Sequence, residues 1–411
     1  MLPETLLEPR DEPRHLKAHA TLVLGEQTSA IAPCPYFALE NPYTQSILTA
    51  SSDHPIHLHY AFPQQPPDDS EHVTTTHQAP PLASFRLIKK ETEAYLPIAS
   101  LIWPAPGTHF IAGTTNRVAI FDVSNPSSLK AEPLFSIATI PSARHIRKGN
   151  GIGMRGAVSA LAAQVRETGD AGLIAAGTRS RFMGLYDLQR GGECVATWGI
   201  TDAAAEAGTG GGGVTQTVWS PCGRYLLVNE RGSSGLLVYD LRGTNQLLAH
   251  LDGRNGDTNQ RLSCDVFPGT NSIGGFEVWA GTKDGGVVMW EGVGNQEGAV
   301  IPSGGWDAHE SAVGSTAMHM SGSVMATCSG SWEIMGAEYF DSEDSDESDD
   351  SDDSDDSDSD RGSGSVSEPS SRQSRKSPFV MKETSLKVWS IGTSNPPSKD
   401  RSDLEDEVGG P

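Results

Sequence analysis

The chain has 411 residues, with 30 Lys and Arg against 53 Asp and Glu, a net charge of −23. Hydrophobic residues make up 36%, low for a compact domain, while 45 Gly and 26 Pro mark a chain rich in turns. No apolar run approaches the roughly 18 residues of a membrane span, and the N-terminus lacks a signal-peptide layout. The five Cys (Cys34, Cys194, Cys222, Cys264, Cys328) are scattered, so the composition excludes a disulfide-built secreted domain and favours a soluble intracellular protein with no membrane partner.

Residues 1–29 form a short, polar N-terminal segment. From residue 30 to 335 a repeat runs through the chain. Six segments read as strands after a turn: HPIHLHYAF (54–62), NRVAIFDV (116–123), RFMGLYDL (181–188), SGLLVYDL (234–241), GGVVMWEG (285–292) and TSLKVWSI (384–391). Their aligned pairs are His59-Tyr60, Phe121-Asp122, Tyr186-Asp187, Tyr239-Asp240, Trp290-Glu291 and Trp389-Ser390. This is a degraded series of the Trp-Asp dipeptide that marks WD40 blades. Upstream of each lies another run ending in small residues, such as HFIAGTTN and GLIAAGTRS. These strands are apolar on both faces, as blades sandwiched between neighbours must be. The expected fold is all-β, a WD40-type β-propeller.

Six units are countable where seven are usual. Three explanations stay open: a six-bladed ring, a degenerate blade hidden in a linker such as 124–155, or an N-terminal blade absent from this chain, of which residues 1–29 are a remnant. The third is favoured.

Residues 84–190 hold thirteen Lys and Arg against seven Asp and Glu, a basic region inside an acidic chain. Arg117, Arg179 and Arg181 fall in the hairpin corners of adjacent units, so ring symmetry brings them to one rim, with Arg147 and Lys148 in the linker next door. Phosphate recognition needs such clustering. As exposed corner residues, each is expected to tolerate Ala within about 0.5 kcal/mol of stability. Asn259, Gln260 and Arg261 form a polar turn suited either to ligand contact or to bracing the turn itself. His54, His57 and His59 raise the question of a metal, but no carboxylate or cysteine completes a set, and a packed histidine is favoured. The glycine run 210–213 is followed by no Lys-Ser/Thr and reads as a flexible linker. No cofactor, metal, small-molecule substrate or enzyme motif is read.

Residues 341–360 contain thirteen acidic residues and seven serines and nothing else. They lie in an acidic, Ser-rich insertion (336–383) ahead of the closing strand of the last unit (384–392), and an acidic tail (393–411) follows. Both biased stretches are expected to be disordered. Ser357 and Ser402 have acidic residues three positions on and are candidate phosphorylation sites.

Several strings exceed what a generic propeller needs: the HPIHL strand, N-R-V-x-I-F (116–121), S-R-x-x-G-L-Y (180–186) and T-N-Q-R (258–261). Together with the acidic break before SLKVWSI, they resemble the telomerase Cajal body protein family, a WD-repeat group whose fungal relatives are associated with splicing. That resemblance implies a nuclear, Cajal body-like location and partners among small noncoding RNAs (small Cajal body RNA, telomerase RNA, snRNA) and ribonucleoprotein components. It implies RNA localisation or snRNP and pre-mRNA splicing as the role, with the chain acting as a monomer. The alternative is a scaffold that binds only proteins.

Overall fold

The computed structural model describes residues 20–62, 75–77, 80–124, 131–140, 153–165, 171–243, 246–269, 275–330, 333–334, 379–380 and 383–391. Arg147, Lys148, Ser357, Ser402, the acidic tract and the tail lie outside them.

The described residues build a six-bladed β-propeller. Blade 1 comprises Thr28–Pro33, Ser46–Ser51, Ile56–Tyr60 and Ala83–Phe85. Blade 2 comprises Ser100–Ile102, His109–Thr114, Arg117–Asp122 and Phe135–Ala138. Blade 3 is made of Val158–Val165, Ala171–Thr178, Phe182–Asp187 and Glu193–Gly199. Val214–Trp219, Tyr225–Glu230, Leu236–Asp240 and Leu247–Leu251 form blade 4, whose outer edge gains Gly298–Val300 in parallel. Blade 5 is Cys264–Phe267, Phe276–Gly281, Gly286–Val293 and Gly304–Asp307; blade 6 is Val313–Met318, Val324–Gly330 and Thr384–Ser390.

The segments read from sequence as closing strands are third strands. In blades 1 to 5 a fourth, outer strand follows. The outer strands were invisible to patterning because they are short and face solvent along one edge, as in the exposed-rich Glu193–Gly199. Within the linker 124–155 the described residues carry Phe135–Ala138, the outer strand of blade 2, and no further blade.

The Trp-Asp-like pairs divide their labour. The aromatic half is core: Phe121, Tyr186, Tyr239 and Trp290 are fully buried. The acidic half caps the turn toward the outer strand, since Asp122, Asp187 and Asp240 accept from the backbone N–H of Ser124, Gln189 and Arg242 at 2.8, 3.0 and 3.0 Å. His59 occupies the aromatic position in blade 1. It is 4% exposed and neither ring nitrogen has a partner among the described residues, whereas His57 Nδ1 lies 2.9 Å from Ser84 Oγ. Burial and the neighbouring His57 hold His59 down at about 4, so it packs as a neutral ring. The described residues hold no group of three or more potential metal ligands.

Blades meet where the second strand ends in Gly-Thr: Gly113-Thr114, Gly177-Thr178 and Gly281-Thr282. A Cβ on Gly113 would lie 2.6 Å from Val158 O, and one on Gly281 2.2 Å from Val313 O, so the next blade's first strand needs glycine there. Hydroxyls and amides then stitch blade to blade. Ser100 Oγ donates to Val158 O (2.7 Å), Ser159 Oγ to Val214 O (2.6 Å), Gln216 Nε2 to Cys264 O (2.8 Å) and Thr316 Oγ1 to Trp279 O (3.0 Å).

Blade 6 carries a buried polar relay. Trp389 Nε1 donates to Thr327 Oγ1 (2.8 Å), which lies 2.7 Å from His309 Nε2, and His309 Nδ1 lies 3.0 Å from Glu383 Oε1. Glu383 also accepts from the Glu310 N–H (2.6 Å) and pairs with Lys387 (3.0 Å). Burial alone would raise its carboxyl, but the bonds from Ser385, Glu310, His309 and Lys387 hold it down at about 2. Met318, Met325 and Trp389 pack one face of blade 6 toward blade 5, while the other face leaves Ala317, Cys328 and Leu386 exposed, Leu386 by 51%.

Candidate functional site

Strand–turn corners at one end of the ring carry the basic residues. In blades 2, 3 and 5 the residue after Gly-Thr, and in blade 4 the residue after Asn229-Glu230, opens the corner: Thr115, Arg179, Lys283 and Arg231 respectively. Two of these, Arg179 and Arg231, meet Arg261 from the connection between blades 4 and 5. The three line one cavity of about 370 Å³, together with Ala99, Ser159, Gly212, Gly213, Val214 and Thr215. No carboxylate lines it.

Two of the guanidiniums are placed by backbone carbonyls. Arg261 Nη2 donates to the carbonyls of Ser159 (3.3 Å) and Thr215, and Arg231 Nη1 donates to Asn259 O. The Arg179 side chain has no ion pair among the described residues. Gly213, at φ +113°, lets the backbone of Arg179 come close: a Cβ on Gly213 would lie 2.5 Å from Arg179 O. The glycine run therefore forms a specific turn after the short helix Thr201–Glu206 and a wall of the cavity, where the sequence had suggested a flexible linker. Burial first, then the charges of Arg231 and Arg179, push the Arg261 guanidinium down from its ordinary value. These like charges repel, and the nearest carboxylate at the wall, Glu230, which accepts from the Gly213 N–H at 3.4 Å, is paired with Arg181 instead.

A fourth arginine lies between blades 4 and 5, outside the residues that line this cavity. Arg254 is 2% exposed; its Nε donates to Gly281 O (3.0 Å) and its Nη1 to Asn229 Oδ1 (2.8 Å). Its Nη2 has no partner among the described residues. Burial pushes its guanidinium down, yet an arginine stays charged in such a site. Asn229 is fixed in turn, its Nδ2 donating to Leu262 O at 2.6 Å.

The structure separates the residues that the sequence had grouped. Arg179 and Arg261 line the cavity. Arg181 does not reach it: its Nε and Nη2 bond Glu230 Oε1 and Oε2 at 2.7 and 2.9 Å, and the Glu230 side chain is only 2% exposed. Arg181 also sits at φ +64°, a left-handed conformation unfavourable for a side-chain-bearing residue. Its guanidinium belongs to a buried ion pair, and the expectation of a freely replaceable corner residue does not hold for it. Arg117 is exposed at the blade 2 corner, away from the cavity. Asn259 contributes its carbonyl to Arg231, and Gln260 Nε2 donates to Gly330 O (3.1 Å), so both brace the turn.

Arg231, Arg254 and the glycine wall escaped the sequence reading. One signal could have found them. Blade 4 ends its second strand in Asn229-Glu230 where blades 2, 3 and 5 have Gly-Thr, and those two departures hold Arg254 and Arg181.

The cavity opens beside a second one of about 520 Å³ at the axis of the ring. That space is lined by the first strands of blades 1 to 4, including Ile31, Ile102, Leu161 and Thr217, and it shares Ala99, Thr215 and Arg261 with the arginine cavity.

No family model matches the chain. A curated relative, Guanine nucleotide-binding protein negative regulator 1 of Schizosaccharomyces pombe, is 31% identical over 121 residues, 29% of this chain. The match spans 27% of that protein's length. Neither finding speaks to the telomerase Cajal body protein family. Among the described residues no helix is long and apolar enough to cross a membrane.

Proposed function

We propose that the chain is a non-catalytic propeller that binds small noncoding RNA or its ribonucleoprotein through the arginine-lined end of the ring. The observation that carries this is the convergence of Arg179, Arg231 and Arg261 on one open cavity with no carboxylate in its wall. Arginine forks match phosphate oxygens in pairs, and a low-dielectric concavity focuses their field. The net charge of −23 does not oppose this, because residues 341–360 account for 13 of it in sequence outside the ring core. The motifs shared with the telomerase Cajal body protein family support a nuclear setting and a role in small-RNA localisation or splicing. The test is a salt titration of binding to a small structured RNA. Each phosphate contact adds about 0.7–0.9 to the slope of log affinity against log salt. Replacing Arg179 and Arg231 with Ala together is expected to lower that slope by about 0.7–0.9 for each phosphate held there; salt-insensitive binding, or none, defeats the reading.

A second reading, a scaffold that binds only proteins, is favoured by the relative named as a negative regulator of a guanine nucleotide-binding protein. It predicts capture of protein partners from a nuclease-treated extract with no loss in the Arg179→Ala and Arg231→Ala variants.

A further inference from the structure

We infer that the arginine cavity seats the terminal phosphate of an RNA strand, with the adjoining nucleoside directed into the axial cavity. This rests on the RNA reading and names which part of the RNA is recognised.

The cations are confined. Arg179, Arg231 and Arg261 line a space of about 370 Å³. The neighbouring axial space of about 520 Å³ contains no further Lys or Arg beyond the shared Arg261, and its wall is otherwise Thr, Ser, Gln, Ala, Ile and Leu. A strand passing through would place successive phosphates against that uncharged wall. A strand end needs only one phosphate site and a largely uncharged space for its nucleoside, and the two cavities share a border at Ala99, Thr215 and Arg261.

Charge balance points the same way. An internal phosphodiester brings one negative charge to three arginines. A phosphomonoester brings about −1.5 to −2 at neutral pH and three strong acceptor oxygens, enough for paired bonds from more than one guanidinium. Two of the three donors are also held in advance: Arg261 is anchored on Ser159 O and Thr215 O and Arg231 on Asn259 O, while the Arg179 side chain is exposed and makes no hydrogen bond among the described residues. Arginines fixed in this way lose little freedom on binding.

The test uses three labelled oligoribonucleotides of one sequence, carrying a 5′-phosphate, a 3′-phosphate or neither, with a phosphoserine peptide as a fourth probe, all against the full chain. One terminal phosphate is expected to tighten binding by about tenfold over the unphosphorylated strand, the worth of charge-assisted hydrogen bonds. That gain is expected to vanish in Arg231→Ala and to be only partly restored in Arg231→Lys, which keeps the charge and loses the fork. Circular dichroism of each variant confirms that the propeller is folded. Equal binding of all three oligonucleotides overturns the terminal-phosphate inference and leaves the RNA reading standing. Failure of every oligonucleotide overturns both, and Arg231-dependent capture of the phosphopeptide alone assigns the cavity to a phosphoprotein.

Discussion

Two polar regions of this propeller end differently. In blade 6, Trp389, Thr327, His309 and Glu383 form an unbroken hydrogen-bond relay closed by Lys387 and the Glu310 N–H. At the junction of blades 3, 4 and 5, Arg179, Arg231 and Arg261 line one cavity, and the nearby carboxylate of Glu230 is already taken by Arg181. The first region satisfies its own charges and so holds a blade together. The second keeps cations uncompensated at an opening, a cost to folding that makes sense where an anion arrives later.

The largest expected effect tests whether Arg181 belongs to structure or to binding. Removing one member of a buried ion pair strands the other, at a cost of about 3–5 kcal/mol. Arg181→Ala is expected to lose that much in equilibrium denaturation, because Glu230 is left with a side chain 2% exposed. Arg181→Gly should lose less, by about 1 kcal/mol, since glycine accepts φ +64° without strain. A loss below about 0.5 kcal/mol in both would return Arg181 to the exposed corner envisaged from sequence.

The blade 6 relay is checked by pH. Glu383 is held at about 2 in the fold against an ordinary 4.5, so between those values the unfolded chain binds more protons than the folded one. Its contribution is complete above about pH 4.5 and disappears as pH falls toward 2. At 1.36 kcal/mol per unit, that is at most about 3 kcal/mol. His309 is also lowered, chiefly by burial, so its neutral form is favoured and acid below its ordinary 6.5 costs further stability. Glu383→Gln is expected to flatten the pH dependence of the unfolding midpoint between pH 4.5 and 2. An unchanged profile would mean that the relay is not the acid-sensitive element.

The sequence exposed the parts of the fold that repeat and hid the parts that depart. Aromatic third strands ending at Phe121, Tyr186, Tyr239 and Trp290 were legible because burial fixes their chemistry in every blade. The outer strands were not, being short and half exposed. At the site, Arg179 and Arg261 were legible as charge in turns, yet nothing in a local pattern tells that Arg181, two residues on, pairs with Glu230 across 49 positions of sequence. Arg231 was hidden for a similar reason. Its partners in the cavity come from two other segments, and only ring geometry brings them together.

The smallest expected effect on stability is the most discriminating. Arg179 has no ion pair among the described residues, and Arg231 gives one bond to the Asn259 carbonyl. Removing either guanidinium relieves repulsion on Arg261, whose lowered value reflects both neighbours. That relief offsets the lost packing and the single hydrogen bond, so Arg179→Ala and Arg231→Ala are expected to stay within about 0.5 kcal/mol of the parent in denaturant unfolding. Their combination should fall slightly short, in stability, of the sum of the two single effects, because each single variant already removes the repulsion between Arg179 and Arg231. A double-mutant cycle measures this directly. A loss of several kcal/mol in either single variant would mean that the cluster braces the junction of blades 3 to 5, and would make it a counterpart of the blade 6 relay instead of its opposite.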